Sequence, residues 1–359
     1  METFSVKFRA GSLDLSVIVT EHDHHQKFKV EMVTNEPKPI LLMRSVKGEW
    51  TIVERGLRNF SEHDFDALKL AIEGQLCETY SVKNMLVLTD FSESSSNAAK
   101  YAADLAHQLK SKNLILYHSY ESVAIPATAF APVTGRFTET HEQSLEKITN
   151  LKNEVEEWAP EETAVEVRTD ERTLISAVNA LTAQHYIGLV VAGITGKSSI
   201  ERVLVGSNTV TLAKNCHAPL LIVPPVAVFQ PISTVVFACD LKRVAESTPV
   251  LAIKTFVHAL GAKLLILNVD YEGGHFDPDT IKEMTHLHEL WDNEKPEYHY
   301  IDSEDTVAGI MEFARLQDAE LVIMVPKHYG FFEGIFHRSL TKKLAYHTHR
   351  PLLLFREDT

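Results

Sequence analysis

Cysteine is scarce in this sequence, and so are the features of an exported or membrane-spanning chain. The three cysteines, Cys77, Cys216 and Cys239, stand in separate segments without C-x-x-C spacing, which argues against a disulfide framework and a zinc knuckle. No segment approaches the roughly 18 uninterrupted apolar residues of a membrane span. The first residues lack the basic and apolar regions of a signal peptide. We therefore expect a cytoplasmic protein with no membrane partner and with buried thiols.

The sequence has fewer basic than acidic residues. The chain has 49 acidic and 35 basic residues and a formal net charge of −14, so as a whole it repels a nucleic-acid backbone. We expect no nucleic-acid partner. Its 359 residues are too many for one ordinary hydrophobic core, which predicts about two or three domains.

Residues 1–80 predict a small β-rich domain closed by one helix. Apolar and polar residues alternate around Phe8, Val17 and Val30, the pattern of an antiparallel sheet with one buried face. After Ser61, four apolar residues at helical spacing form a stripe that would cover this sheet: Phe65, Leu68, Ile72 and Leu76. The histidine-rich segment 21–26 fits a polar hairpin turn as well as it fits a metal site, and we assign no metal ligand.

From Asn84 onward, short apolar runs alternate with helix-length segments, and the pattern occurs twice. Runs that are apolar throughout are typical of parallel strands buried on both faces. Segments 212–223 and 344–355 align without a gap, which indicates an internal duplication. We predict an α/β fold of two tandem, five-stranded, doubly wound parallel-sheet domains at 82–226 and 231–357, preceded by the antiparallel β domain at 1–80.

A glycine-rich segment in the first α/β unit is the main candidate for ligand binding. Gly193 and Gly196 follow a predicted strand, and Gly206 and Ser207 begin the next predicted helix. Glycine lets a ligand approach the backbone, and the N-terminus of a helix stabilises a phosphate. The Walker and GxGxxG orders are both absent. Composition alone leaves a phosphate site and a plain glycine-punctuated loop as alternatives.

Two motifs resemble the universal stress protein family. Gly193, Gly196, Gly206 and Ser207 have the spacing of that family's ATP-binding signature, and the segment TDFSESS at 89–95 is similar to its opening motif. The resemblance covers roughly residues 82–357 and implies a tandem universal stress protein with an N-terminal extension. It implies an adenine nucleotide as the ligand, namely ATP, alone or with Mg²⁺, and a nucleotide-responsive role in stress or signalling.

The resemblance also implies the residues that contact the nucleotide. Thr89 and Asp90 would lie beside the adenine and ribose, and the main chain of Ser119 would contact the adenine edge. A helix cap is an alternative role for Asp90, and the two are compatible. The remaining matched positions would line the ribose and phosphates (Ala192, Gly193, Gly196) and form the phosphate cradle (Gly206, Ser207, Asn208, Thr209).

The second α/β unit departs from this signature. Val325, His328 and Arg338 stand where the first unit has Gly193, Gly196 and Gly206. Bulky side chains prevent close approach of a phosphate to the backbone, so we expect no ATP in this unit. Binding of another anion by His328 and Arg338 is the alternative to a simple loss of function.

Nucleotide binding does not by itself predict catalysis. Hydrolysis would need an oriented water, a metal site and charge stabilisation, and the glycine-rich segment supplies no evident base. We assign no catalytic residue and favour a non-enzymatic role, with slow ATP hydrolysis left open. The alternative class is a nucleotide-independent interaction or scaffold protein. Universal stress domains commonly pair through their last strands, which implies that 219–224 and 351–355 pair within the chain as a pseudo-dimer; a homodimer of chains also stays open.

Overall fold

The N-terminal region forms one antiparallel sheet covered by one helix. The computed structural model describes residues 3–22, 27–33, 38–45, 49–79, 81–120, 141–194, 207–270, 279–326 and 350–357. The first five strands pair in chain order: β1 (Thr3–Ala10), β2 (Leu13–His22), β3 (Lys27–Met32), β4 (Ile40–Arg44) and β5 (Trp50–Glu54). Helix α1 (Glu62–Thr79) packs its predicted stripe against the sheet. Phe65, Leu68, Ile72 and Leu76 are all buried there with Val17 and Val30, so this prediction is confirmed.

In the described residues from Asn84 onward, ten strands form one sheet with helices on both faces. Its first half, residues 84–223, has strands β6 (Asn84–Leu88), β7 (Asn113–Ser119), β8 (Ala164–Asp170), β9 (Leu189–Gly193) and β10 (Leu220–Val223), with helices α2 (Glu93–Leu109), α3 (His141–Trp158), α4 (Leu174–His185) and α5 (Ser207–Asn215). The second half, residues 234–354, has β11 (Thr234–Ala238), β12 (Lys263–Asp270), β13 (Glu297–Asp302), β14 (Leu321–Met324) and β15 (Leu352–Leu354), with α6 (Val244–Ser247), α7 (Val250–Leu260), α8 (Asp279–Trp291), a 3-10 turn (Asp292–Glu294) and α9 (Thr306–Leu316).

The strand order is the same in both halves. From the outer edge inward it is β8-β7-β6-β9-β10 in the first half and β13-β12-β11-β14-β15 in the second. All neighbours within a half are parallel. The halves meet at β10 and β15, which pair antiparallel with Leu220 opposite Leu354. The sheet is therefore parallel except at this seam, and the predicted α/β class is confirmed.

Apolar side chains on both faces of the strands explain why the sheet is buried. Met85 and Val87 enter one core, and Leu86 and Leu88 enter the other. Each core contains residues of both halves, so the halves share their packing instead of forming separate cores. Burial raises the pKa of the Cys216 thiol to about 11, which keeps it protonated and unreactive at neutral pH.

Helix α1 of the N-terminal region contacts the second half of the large sheet's layer of helices. Helix α1 contacts α7, and Leu251 of α7 packs against the N-terminal core. None of the helices within the described ranges combines the length and apolar character that a membrane crossing needs.

Candidate functional site

The candidate site lies where the strand order of the first half reverses. Successive strands run outward from β6 through β7 to β8, whereas β9 and β10 lie on the other side of β6. In open α/β sheets, ligands bind outside the carboxyl ends of the strands at this reversal. Thr89 and Asp90 follow β6, Gly193 ends β9, and Ser119 ends β7. Three neighbouring strands therefore bring residues from distant parts of the sequence to one edge.

The turn after β6 is held by its own polar side chains. The Thr89 amide donates to the Tyr117 carbonyl at 2.9 Å, extending the β6–β7 ladder by one residue. The Thr89 hydroxyl oxygen accepts from the Phe91 amide at 3.0 Å and lies 3.1 Å from the Ser95 hydroxyl. Phe91 has a φ of 60°, an uncommon conformation for a bulky residue. These contacts keep the turn tight and direct the chain into α2.

Asp90 is an ionised group held in a defined position. Its Oδ1 accepts from the Ser92 hydroxyl at 2.6 Å and from the Ser92 amide at 3.1 Å. Burial alone would raise the pKa of Asp90, but the hydrogen bonds from Ser92 outweigh it and lower the pKa below its usual value. A fixed carboxylate accepts hydrogen bonds from hydroxyl or amino groups and repels phosphates.

Helix α2 begins at the same edge with a side-chain cap. Ser92 has extended backbone geometry, and its hydroxyl oxygen accepts from the Ser95 amide, which is the usual arrangement at a helix N-cap. Asp90 is therefore not the cap; it supports the residue that is. The Ser94 hydroxyl donates to the Ile194 carbonyl, so the first turn of α2 is also bonded to the chain that leaves β9.

Gly193 is required by packing between β9 and α2. A Cβ on Gly193 would lie 2.5 Å from the Ser94 carbonyl oxygen and 2.8 Å from the Ser94 carbonyl carbon. Both are backbone atoms, so neither can move aside as a side chain would. The absent side chain thus allows the two motifs to meet. The expectation that Gly193 lines the ribose and phosphates stays a prediction.

Ser119 and Ala192 offer mainly their backbones. The Ser119 hydroxyl donates its one hydrogen to the Arg172 carbonyl at 2.7 Å. Ala192 pairs with Leu88 and Ile222, and its side chain is buried in the core. The main-chain contact of Ser119 with an adenine edge and the place of Ala192 beside the ribose and phosphates stay predictions.

A second polar cluster closes the β7–β8 end of the edge. The buried Tyr117 donates to Asp170 at 2.9 Å, and the Arg172 guanidinium also binds that carboxylate. Burial would raise the pKa of Asp170, but the hydrogen bonds from Arg172 and Tyr117 outweigh it and lower the pKa. The cluster fixes the position of the segment that follows β8.

Sequence reasoning missed three residues that shape the site: Ser94, His118 and Phe91. The His118 Nδ1 lies 2.8 Å from the Thr89 carbonyl oxygen, and its ring centroid is 4.4 Å from that of Phe91. Each of the three lies in or next to a segment that the sequence singled out: Phe91 and Ser94 are in the TDFSESS motif, and His118 precedes Ser119. The contacts of His118 and Ser94 could not be predicted, because each contact joins two segments that are far apart in the sequence.

The predicted phosphate cradle is described only in part. Gly196 and Gly206 lie outside the described residues. Ser207, Asn208 and Thr209 are the first three residues of α5, so the helix starts where the sequence predicts. The N-terminus of a helix attracts anions, and topology puts it at the same edge as Asp90, because α5 leads from β9 to the parallel strand β10.

The corresponding edge of the second half is built differently. The helix that follows β11 is broken: α6 ends at Ser247, and α7 begins only after Thr248 and Pro249. The apolar stripe between Pro249 and Gly261 predicts helix α7, and the structure has it, but the sequence does not predict the break before it. Val325 follows β14 where Gly193 ends β9, and it is buried in a core that also contains Val244. His328 and Arg338 lie outside the described residues, and the described residues hold no group of three or more His, Cys, Asp or Glu side chains arranged for a metal ion.

Comparison with known proteins gives a family match for the first half of the sheet. Residues 81–224 match the model of the universal stress protein family. A universal stress protein of Methanocaldococcus jannaschii is 28% identical over 145 residues, which are 39% of this chain and 81% of that protein.

One solved structure extends the likeness in fold beyond residues 81–224. A universal stress protein from Archaeoglobus fulgidus has a TM-score of 0.54 at 18% identity and covers 77% of this chain and 98% of its own, so the two share a fold. A universal stress protein solved in complex with cAMP has a TM-score of 0.30 at 23% identity and covers 40% of this chain and 97% of its own.

Proposed function

We propose that this chain is an ATP-binding stress or signalling module, made of two universal stress protein units in tandem, with one working nucleotide site in the first unit. The observation that carries the proposal is the meeting of the two family motifs at the strand-order reversal, through the close contact of Gly193 with Ser94. The family match over residues 81–224 supports it. The N-terminal domain at 1–80 and the units at 82–226 and 231–357 are part of the proposal.

The residues of the site fit an adenine nucleotide in a definite orientation. Asp90 is a fixed carboxylate with a lowered pKa, so it suits the hydroxyl groups of a ribose and not the phosphates. The start of α5 at Ser207 carries the partial positive charge of a helix N-terminus, so it suits the phosphates. In the proposed binding mode the ribose lies at Thr89 and Asp90, and the adenine faces the main chain of Ser119. The phosphates face the glycine-rich segment and the start of α5: Gly193, Gly196, Gly206, Ser207, Asn208 and Thr209.

The second unit is proposed to be silent towards ATP. Its helix after β11 is interrupted after four residues, and Val325 occupies the glycine position. The shared strand order of the two halves and their antiparallel seam support the tandem, pseudo-dimeric arrangement.

The experiment is to denature the freshly purified chain and identify any released nucleotide by chromatography, together with equilibrium dialysis against ATP and Mg²⁺. We expect an adenine nucleotide in the released fraction, or ATP retained on dialysis. If neither is observed, the proposal is wrong, and a nucleotide-independent scaffold becomes the better account.

A further inference from the structure

One hydrogen-bonded circuit joins the candidate site to the connection between the two halves, which we define as residues 224–233. Ser94, in the first turn of α2, donates to the Ile194 carbonyl. The Ile194 amide donates to the Val223 carbonyl at 3.2 Å. The connection begins at the next residue, Pro224, whose carbonyl accepts from the Asn97 side chain at 3.2 Å. The circuit therefore leaves α2 at Ser94 and returns to it at Asn97.

Asn97 holds the connection at two points. Its Nδ2 donates to the Pro224 carbonyl and also to the Ala227 carbonyl, at 3.0 Å, which uses both amide hydrogens. Further along α2, the Tyr101 ring packs edge-to-face against Phe229 with centroids 5.2 Å apart. The connection thus lies along the helix whose first turn forms the candidate site.

The far end of α2 reaches the second half. Gln108 exchanges hydrogen bonds with Ile232 and donates to the Leu260 carbonyl at the end of α7 at 2.9 Å. Helix α7 in turn contacts α1 of the N-terminal domain. Helix α2 is therefore bonded to the connection and to the end of α7, and α7 links it to the N-terminal sheet and its helix.

The second half has the same strand order with a different residue at the place of Asn97. When α2 and α7 are aligned on their last residues, Leu109 and Leu260, Thr248 stands opposite Asn97. A threonine has one hydroxyl donor and cannot hold two carbonyls as an asparagine amide does. Asn97→Thr therefore removes the two-point contact and introduces the residue that the second half has at the aligned position.

We propose that Asn97 is a positioning residue that couples nucleotide binding at the candidate site to the connection at 224–233. The inference rests on the proposed function, because it needs a nucleotide at the site. A ligand that fixes the Ser94–Ile194 contact also fixes the Val223 and Pro224 backbone, and Asn97 carries that restraint along the connection.

Hydrogen exchange of the full chain with and without ATP and Mg²⁺ tests this proposal. In the wild type we expect ATP to slow exchange in peptides covering 89–96 and 226–233, in the second roughly 2- to 10-fold, the change equivalent to one hydrogen bond. Asn97→Thr, which copies the second half, and Asn97→Ala should keep the response at 89–96 and lose it at 226–233. The matched control is Asn84→Ala, because Asn84 also bonds a backbone carbonyl, that of His185, but at the opposite edge of the sheet.

The outcomes separate this inference from the proposed function. Protection at 89–96 with no change at 226–233 in the wild type overturns the inference alone, and so does a response at 226–233 that persists in both Asn97 variants. Loss of that response in Asn84→Ala also overturns it, because the effect would then be general loosening. If ATP does not slow hydrogen exchange at 89–96 in the wild type, the proposed function and this inference are both wrong.

Discussion

At the scale of single residues, the clearest requirement is the missing side chain at position 193. A Cβ there would meet the Ser94 backbone at 2.5 Å, so Gly193→Ala must push β9 and α2 apart. We expect the free energy of unfolding to fall by about 1–3 kcal/mol, the usual cost of overpacking, and ATP affinity to fall with it. Denaturant unfolding and calorimetric titration measure the two effects.

The control for this substitution is Gly74→Ala. Gly74 lies within α1, and an added Cβ would meet no atom within 4 Å. Alanine is a better helix former than glycine, so this variant should gain about 0.5–1 kcal/mol. Equal effects of the two substitutions would contradict the account of Gly193.

Gly193 also shows what the sequence could and could not predict about the site. Its place after a buried strand was predictable, since the apolar run at 187–193 indicates a strand. Its contact with Ser94 was not, because the two residues are far apart in sequence and the contact depends on β9 lying beside β6. The same limit explains why His118 was missed while its neighbour Ser119 was identified.

At the scale of secondary-structure elements, the capping of α2 connects stability to binding. Ser92 caps the helix and also holds the Asp90 carboxylate. We expect Ser92→Ala to cost about 0.5–2 kcal/mol of stability and to weaken ATP binding, because Asp90 loses its shortest hydrogen bond.

A cap in the second half provides the matched control. Asp305 accepts from the Val307 and Ala308 amides at the start of α9. Asp305→Ala should lose a similar amount of stability in denaturant unfolding and leave the ATP titration unchanged. A loss of ATP affinity in this variant as well would mean that binding follows general stability and not the α2 cap.

The helix pattern of the second half was only partly predictable. The apolar stripe at Ile253, Phe256, Val257 and Leu260 predicted α7, and the structure has it. The separate α6 was not predicted, because its four residues are too few for a periodic pattern. Pro249 shows physically why the helix breaks, since its ring favours an extended conformation at Thr248.

The turn after α8 carries a pH-dependent contribution to stability. Glu294 contacts Lys254 at 3.2 Å and His258 at 2.6 Å. Burial would raise the pKa of Glu294, but hydrogen bonds from His258 and Lys254 outweigh it and lower the pKa below its usual 4.5. Because the pKa is lower in the folded state than in the unfolded state, the stabilisation is full above about pH 4.5 and is lost as the pH falls below that value.

Glu294→Gln removes this titration. We expect the variant to be less stable than the wild type at pH 7, with the difference narrowing in unfolding measurements below about pH 4.5. Glu289→Gln, at an exposed position of α8, should differ little from the wild type across the range. A wild-type advantage that does not shrink in acid would contradict this account of Glu294.

At the scale of the whole molecule, the seam makes the two halves one folding unit. Leu353 in β15 is fully buried and pairs with Leu221 and Ile323. A charge there cannot be solvated, so we expect Leu353→Asp to cost about 3 kcal/mol or more. Because both cores contain residues of both halves, hydrogen exchange should quicken in β6 and β14 alike.

Leu316→Asp is the corresponding surface control. Leu316 ends α9 and is 63% exposed, so the substitution should change stability by less than about 0.5 kcal/mol. If Leu353→Asp quickened exchange in the second half only, the halves would be independent and the shared-core account would be wrong.

We propose that one chain holds one ATP, in the first half. The most direct test is a calorimetric titration of the full chain with ATP and Mg²⁺, in parallel for Asp90→Ala, Asp240→Ala and Gly206→Arg. Asp90 and Asp240 occupy equivalent turns, since each accepts from the amide two residues on at 3.1 Å. We predict that the wild type binds one equivalent of ATP per chain. Asp90→Ala should bind ATP about 10- to 100-fold more weakly, because it loses a charged hydrogen bond. Gly206→Arg should show no detectable binding, and Asp240→Ala should bind ATP like the wild type. Two equivalents per chain, or a loss in Asp240→Ala equal to that in Asp90→Ala, would contradict it.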